Sequence, residues 1–367
     1  MTSIISAIGT SNPANKFTQN RILEFMIDAH ELDAINSSRL EKLYQSSGIA
    51  YRHSVISDFG KRKGAYTFFG NNNSLEPFPT TSVRGNLYER TALPLCLEAV
   101  NNCLKPINFP AAAITHLITV SCTGMYAPGL DIELVESLQL NPSVERSCIN
   151  FMGCYGAFNA LKIADYICRA QHDAKVLIVD VELCTLHFQK ESTLDNWLSN
   201  SLFADGAAAV LIQHTDTTDQ KLFAIKSFYT EVVTAAKNEM AWRIGDFGYE
   251  MRLSNKIAKQ IKSGIKGITD NLLKKANVTF DDIGQFAIHP GGRRILEVCD
   301  EVFSLDSSQN AHAYQVLRDY GNMSSATILF VLAGLGMKLK TQQREQQILS
   351  VAFGPGLTFE SMLLAYA

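Results

Sequence analysis

Residues 151–170 read FMGCYGAFNALKIADYICRA, and residues 319–334 read DYGNMSSATILFVLAG. In both, a glycine and then a reactive or polar residue, Cys154 or Asn322, open a run that is apolar on most sides. A helix apolar all round is a buried, central one. Cys154 and Asn322 stand 168 positions apart. The short apolar runs HLITVS and QFAIH end at Ser121 and His289, and these also stand 168 apart. Two landmarks with one offset predict an internal duplication, hence a molecule of two halves related by a pseudo-twofold axis. The boundary falls near residue 215, in the polar stretch HTDTTDQ, giving halves at 1–215 and 216–367.

Working outward, residues 19–46 are helix-like, with Ile22, Leu23, Phe25, Met26 and Ala29 at helical spacing. Residues 54–86 are rich in Gly, Asn, Pro and Ser and read as a long surface excursion. Glu89–Leu104 is helical again, and a further helix follows the Pro128-Gly129 break. Strands are expected at 116–120, 148–152, 175–183, 207–213, 221–229 and 285–289, with ILSVAFGPG at 348–356 as the last strand and turn. Alternation of strands and helices predicts an α/β fold with a mixed sheet. In such folds ligands gather where strands end and helices begin. Ser121, Cys154, His289 and Asn322 all lie at such points, so the twofold would bring them together.

The 367 residues are 46% hydrophobic and 19% charged, enough for a sizeable core. A net charge of −3 gives no global attraction to nucleic acid or to anionic membranes. The start, MTSIISAIGT, has the character of a first strand rather than of a secretory leader. The densest apolar stretch, Ala326–Met337, falls short of the ~20 residues that span a bilayer. Eight cysteines with no CxxC pair point to free thiols in a reducing compartment, hence a cytoplasmic location, and give no zinc ribbon.

Cys154 sits between two glycines that permit close backbone approach. At a helix N-terminus, and paired with an imidazole, a thiol is expected below its ordinary pKa of about 8.5. Cys154, His289 and Asn322 supply a sulfur nucleophile, an imidazole and a neutral amide donor. That set suits acyl-thioester chemistry, in which a thiolate is acylated and neutral donors stabilise an enolate oxyanion. A papain-like protease uses the same three residue types. Here the cysteine lies mid-chain, without a CGSCW-type context.

The motifs ITHLITVSCTGMYAPG, GCYGAFNALKIA, LFADGAAA, AIHPGG, YGNMSSATILFVL and AFGPGLTFES run nearly end to end. Through them the chain resembles the type III polyketide synthases, the chalcone-synthase-like members of the thiolase-fold superfamily. The resemblance implies a thiolase-like, five-layered α-β-α-β-α architecture and a homodimer. It implies an acyltransferase that works without a carrier protein. The reaction is iterative decarboxylative Claisen condensation of malonyl-CoA onto an acyl-CoA starter held as a Cys154 thioester. Cyclisation to an alkylpyrone, resorcinol or phloroglucinol-type product would follow. The substrates are coenzyme A thioesters, and no metal or other cofactor is implied.

Position by position, the resemblance assigns Cys154 as nucleophile, with His289 and Asn322 binding the thioester carbonyl and His289 pairing with the thiolate. Phe203 matches a gatekeeper between CoA tunnel and cavity, and Met251 replaces a second gatekeeper phenylalanine. Cys122, Cys184 and His187 stand where chalcone synthases carry threonines. Ser199 replaces a glycine, and Ser324 matches a serine near the cavity. Gly354, Pro355 and Gly356 match the loop that shapes the cavity floor. Arg39 and Lys42 match CoA-binding basic residues; read alone, they are charges on the solvent face of a helix. The methionine that closes the partner's cavity in the family is Ala127 here. The altered cavity positions favour an aliphatic starter. Two rival readings remain: a ketoacyl synthase III-like enzyme making one condensation on an acyl carrier protein, and a non-catalytic paralogue of the fold.

Overall fold

The structure is a computed structural model and describes residues 3–254, 256–342 and 346–366, without the side chains of 341 and 342. In chain order the first half carries β1 (Ser3–Ser11), β2 (Asn15–Thr18), α1 (Gln19–Ala29), α2 (Ala34–Ser46), β3 (Tyr51–Ser54) and α3 (Thr81–Leu104). It continues through β4 (His116–Ser121), α4 (Leu130–Ser137), β5 (Glu145–Asn150), α5 (Gly156–Ala170), β6 (Lys175–Leu183), α6 (Leu194–Leu202) and β7 (Asp205–His214). The second half carries β8 (Phe223–Val232), β9 (Met240–Gly245), β10 (Gly248–Leu253), α7 (Ile257–Ala276), β11 (Ile283–Ile288) and α8 (Arg293–Phe303). It ends with α9 (Ala311–Tyr320), α10 (Thr327–Gln342), β12 (Gln347–Gly354) and β13 (Thr358–Tyr366).

Nine strands are hydrogen-bonded in the order β11-β12-β13-β8-β1-β7-β6-β4-β5. The sheet is mixed: β4 runs parallel to β5 and β6, β11 runs parallel to β12, and the other neighbours are antiparallel. Among the described residues two pairs, Ile4 with Ala224 and Ile5 with Phe223, join β1 to β8. On either side of that seam the order β1-β7-β6-β4 is repeated by β8-β13-β12-β11. The counterpart of β5 would lie at residues 313–318, where the chain instead forms α9.

Side-chain alternation along β6 makes the layers visible. Leu177, Val179, Val181 and Leu183 face a core shared with α1 and α3, whereas Val176 and Ile178 face a core shared with α5 and α10. Helices α5 and α10 are filled with small and branched apolar residues and lie between the two strand groups, while α7 covers the far side of β8 and β13. Its Ile257, Ile261, Ile265, Ile268 and Leu272 recur at helical spacing on the buried face. The result is the five-layered, thiolase-like α-β-α-β-α arrangement. Among the described residues no helix is long and apolar enough to cross a membrane, and all eight cysteines are free, seven of them buried.

Three expectations need correction. The last strand is β13, not ILSVAFGPG, because the Pro355-Gly356 turn folds β13 back against β12. Residues 54–86 are not simply a surface excursion. Their Phe59, Tyr66, Phe69 and Phe78 are buried, and they form an aromatic cluster with Phe25 and Phe188. The helix-like segment 19–46 divides into two helices, the second capped by Asp33, whose side chain accepts from the Asn36 N–H at 2.8 Å.

Candidate active site

Cys154 occupies the turn between β5 and α5, two residues ahead of Gly156. The turn is tight because Phe151 and Gly153 adopt positive φ, 59° and 77°. A Cβ on Gly153 would lie 2.3 Å from Pro355 Cδ. Gly354, at the end of β12, packs directly on Tyr155, where a Cβ would lie 2.5 Å from the ring. The Gly354-Pro355-Gly356 turn therefore buttresses the nucleophile's own loop, and Pro355 also lines the cavity. Cys122 adds a second support, since its Sγ accepts the Gly153 N–H at 3.0 Å.

His289 follows β11 and Asn322 follows α9, and both line one chamber with Cys154. The amide of Asn322 is oriented by its surroundings: Oδ1 accepts the Ser324 N–H at 2.9 Å, and Nδ2 donates to the Gly291 carbonyl at 3.2 Å. That leaves one N–H for the chamber. The imidazole of His289 is 1% exposed, and among the described residues neither ring nitrogen has a partner. A buried polar group without a partner costs about 1–3 kcal/mol, so this ring is held ready for something that arrives. Ser121 does not join them; it bonds the Tyr88 hydroxyl at 2.9 Å.

The protonation states differ from expectation. Complete burial pushes the Cys154 thiol up to about 12, with the Glu182 carboxylate raising it further and the Ser324 and Asn322 side chains opposing. Burial pushes His289 down to about 3. At neutral pH the unliganded site thus holds a neutral thiol and a neutral imidazole, because desolvation outweighs the helix end.

Two cavities meet at Cys154. The outer one, with a volume of ≈ 310 Å³, contains His289 and Asn322 and opens beside Leu43, Ser46 and Arg293. The inner one is narrow, ≈ 60 Å³, and contains Cys122, Cys184, His187, Ser199 and Ser324. Cys154, Phe203, Met240 and Met251 border both. Phe203 and Met251 are thus two of the four residues shared by the chambers. Phe203 is tied to the catalytic region through the backbone: Asn322 N–H donates to Leu202 O, and Ala204 N–H donates to Asn322 O, both at 2.9 Å.

His187 is a wall rather than an acid or base. Its Nε2–H donates to the Thr123 carbonyl at 2.8 Å, its Nδ1 accepts the Tyr249 N–H at 3.0 Å, and its ring stacks on Tyr249. Burial keeps it neutral, at about 3. Ser199 spends its hydroxyl proton on the Asp195 carbonyl. Arg39 and Lys42 lie exposed on α2 and border neither cavity. Arg293 and Arg294, at the start of α8, are the cations on the outer chamber's wall, and both pair with Glu297.

Two buried acids beneath the site are the other feature the residue pattern alone does not single out. Asp180 and Glu182 share the β6 face that meets the central helices; the signal is two acids at alternate positions of an otherwise apolar strand. The Ser325 hydroxyl lies 2.9 Å from Asp180 Oδ1 and 2.6 Å from Glu182 Oε1. Burial raises both acids above the ordinary carboxylate range, and the neighbouring Glu182 raises Asp180 further. Glu182 in turn accepts from the Cys122 N–H and the Thr123 hydroxyl, each at 2.9 Å, fixing the loop that supports Gly153.

Comparison with known proteins places the chain. The profile described as "Chalcone and stilbene synthases, N-terminal domain" matches residues 2–216, and its "C-terminal domain" counterpart matches residues 224–366. The chain belongs to the chalcone and stilbene synthase family. It is thus a relative of the type III polyketide synthases, enzymes that catalyse condensations. It is 29% identical to "Probable polyketide synthase 1" of Dictyostelium discoideum over 99% of its own length, and it spans only 11% of that protein. It is 28% identical to "Alpha-pyrone synthesis polyketide synthase-like Pks18" of Mycobacterium tuberculosis, covering 98% of this chain and 90% of the relative. The crystal structure of PKS-I from the brown alga Ectocarpus siliculosus superposes with a TM-score of 0.92 at 28% identity, covering 100% of this chain and 98% of that one.

Proposed function

We propose that this chalcone-synthase-like protein loads an acyl-CoA starter onto Cys154 and extends it with malonyl-CoA, iteratively and without a carrier protein, before cyclisation to an alkylpyrone, resorcinol or phloroglucinol-type product. The observation that carries the reading is the place of Cys154 at the junction of two chambers, one holding the unpartnered imidazole and the oriented amide, the other lined by Cys122, Cys184, Phe188 and Met26. Loading begins when the thioester carbonyl enters the outer chamber. The Cys154 thiol gives its proton to His289, the thiolate attacks the carbonyl, and CoA leaves as its thiol with that proton. Malonyl-CoA then loses CO₂, and the enolate oxygen is held by Asn322 Nδ2–H and by His289 Nε2–H. The enolate carbon attacks the Cys154 thioester and expels the thiolate, giving a β-ketoacyl-CoA. Phe203 presents an aromatic wall that offers the malonyl carboxylate no solvation, which favours its loss.

Several features support an aliphatic starter. The inner chamber has Ile22, Met26, Phe59 and Phe188 interleaved with polar residues, of which His187 and Ser199 have their hydrogen-bonding groups engaged. Met26, Met240 and Met251 are flexible enough to admit chains of different shape. Arg293 and Arg294 are positioned to receive CoA phosphates at the outer mouth, a role that Arg39 and Lys42 could share only from α2's exposed face. No metal or redox group enters any of these steps. A homodimer fits the exposed edge strand β5 and the exposed Met125 and Ala127 loop. Cytoplasmic residence fits the free thiols.

The test is a product profile by mass spectrometry with malonyl-CoA and a panel of acyl-CoA starters, alongside Cys154→Ala. Pyrones or resorcinols carrying the starter's alkyl chain are expected, with none from the variant. A single condensation that requires an acyl carrier protein would favour the ketoacyl synthase III-like reading. A folded protein that forms no Cys154 adduct with any starter would favour a non-catalytic role.

A further inference from the structure

Away from both chambers, three side chains converge at the edge of the first half. His172 lies in the turn that follows α5, His214 ends β7, and Asp216 begins the link to β8. Their donor atoms all lie within 4.8 Å of one another. Asp216 Oδ2 is 3.7 Å from His172 Nε2 and 3.6 Å from His214 Nδ1. Around a tetrahedral zinc ion with bonds of about 2.0–2.1 Å, neighbouring ligand atoms are about 3.3–3.4 Å apart. Small side-chain adjustments therefore bring all three donors onto one ion.

The Asp216 N–H donates to His214 Nδ1 at 3.3 Å, so that nitrogen is unprotonated, and an ion would take over its single lone pair from this long hydrogen bond. His214 is 2% exposed, and its other nitrogen has no hydrogen-bond partner. This buried ring is thus not kept for a hydrogen bond through Nε2. The centroids of the two imidazole rings lie 4.2 Å apart, with the ring planes tilted by 40°. Exposure of His172 and Asp216 gives an ion access and leaves a coordination position for water.

We propose that His172, His214 and Asp216 form a binding site for a divalent transition metal of the zinc class. Two imidazoles and one carboxylate are borderline-soft donors that favour Zn²⁺ and its neighbours over Mg²⁺ or Ca²⁺. The ion clips the turn leaving α5 to the end of β7. Helix α5 begins beside Cys154 and ends two residues before His172, so the clip anchors the far end of the helix that carries the nucleophile's loop. Its role is structural, and it takes no part in condensation.

The experiment uses the full chain, freed of metal with a chelator and titrated with ZnCl₂ by calorimetry, with bound metal counted by mass spectrometry. One equivalent is expected to bind saturably and to raise Tm. In His172→Ala and Asp216→Asn, both at exposed positions, affinity falls at least tenfold and the rise in Tm disappears, while condensing activity is unchanged. Co²⁺ gives the visible absorption of a four-coordinate nitrogen-oxygen site in the wild type only. Zinc binding equal in the wild type and both variants would assign it to thiols elsewhere, such as exposed Cys148, and overturn the proposal. No binding at all would also overturn it.

Discussion

Replacing Asn322 tests the oxyanion role most directly. In the resting site its amide bridges the Ser324 N–H at 2.9 Å and the Gly291 carbonyl at 3.2 Å, leaving one N–H for substrate. Asn322→Ala removes one of two neutral donors to the enolate. Loss of one such donor costs about 2.7–4 kcal/mol, or about 10²–10³ in kcat. Asn322→Asp should be worse. It keeps an acceptor for Ser324 but sets a carboxylate oxygen against the Gly291 carbonyl and beside the developing negative charge. The assay is CO₂ release from malonyl-CoA without starter, with Cys154 loading followed separately by intact-protein mass. Both variants should still acylate Cys154, because the sulfur is untouched, and the backbone bridge to Leu202 and Ala204 preserves the loop. Decarboxylation by Asn322→Ala within twofold of the wild type would refute the assignment.

The other predictions follow from burial, backbone and charge. Burial holds His289 near 3, so as pH falls below ~6.5 the unfolded chain gains a proton that the folded chain refuses; stability drops by about 1.4 kcal/mol per pH unit down to that value. A urea series should show His289→Gln losing that share of the slope while His187 retains its own. Alkylation of Cys154 by iodoacetamide in the unliganded enzyme should keep rising through the alkaline range towards its pKa of about 12, and a plateau below pH 8 would show that an imidazolium pair forms after all. Alanine at Arg293 and Arg294 should raise KM for malonyl-CoA about tenfold, near 1.4 kcal/mol, and flatten its salt dependence, with kcat nearly unchanged. Gly153→Ala places a Cβ 2.3 Å from Pro355 Cδ at a φ of 77°, and should cost about 2–4 kcal/mol in a thermal or urea melt, with loss of turnover.

The shared offset of 168 residues was legible because both halves place a polar residue at the same topological point, and Cys154 and Asn322 do border one chamber. It failed for Ser121 because His289 turns inward past the end of β11, whereas Ser121 remains on β4 and turns towards Tyr88. It could not reveal that α9 stands where β5's counterpart would be, since a half-buried segment is decided by what packs on it. Strand β13 was legible in principle: two apolar runs around Gly-Pro-Gly are a hairpin signal. The segment 54–86 misled through composition, because its asparagines and glycines outnumber the buried aromatics that hold it. Arg39 and Lys42 show the remaining limit, for which cation borders a chamber depends on where its mouth opens, and helical spacing carries no such information.

The gate and the chemistry are physically one piece. Phe203 borders both chambers, and the residues on either side of it are hydrogen-bonded to the backbone of Asn322, the oxyanion donor of the proposed mechanism. Arg52 reinforces the strap: its Nη1 donates to the carbonyls of Asn200 and Phe203 at 2.7 and 2.9 Å. A side chain at 203 that shifts the local backbone would therefore move the Asn322 amide as well. Met251 has no such tie, because it comes from the β9–β10 hairpin, paired only with Trp242. Substitutions at Phe203 and Met251, the gatekeepers of the proposed mechanism, should then separate. At 251 they should alter which starter is accepted while sparing decarboxylation. At 203 they should alter both, since the wall that excludes water and the strand that aims the donor are the same stretch of chain.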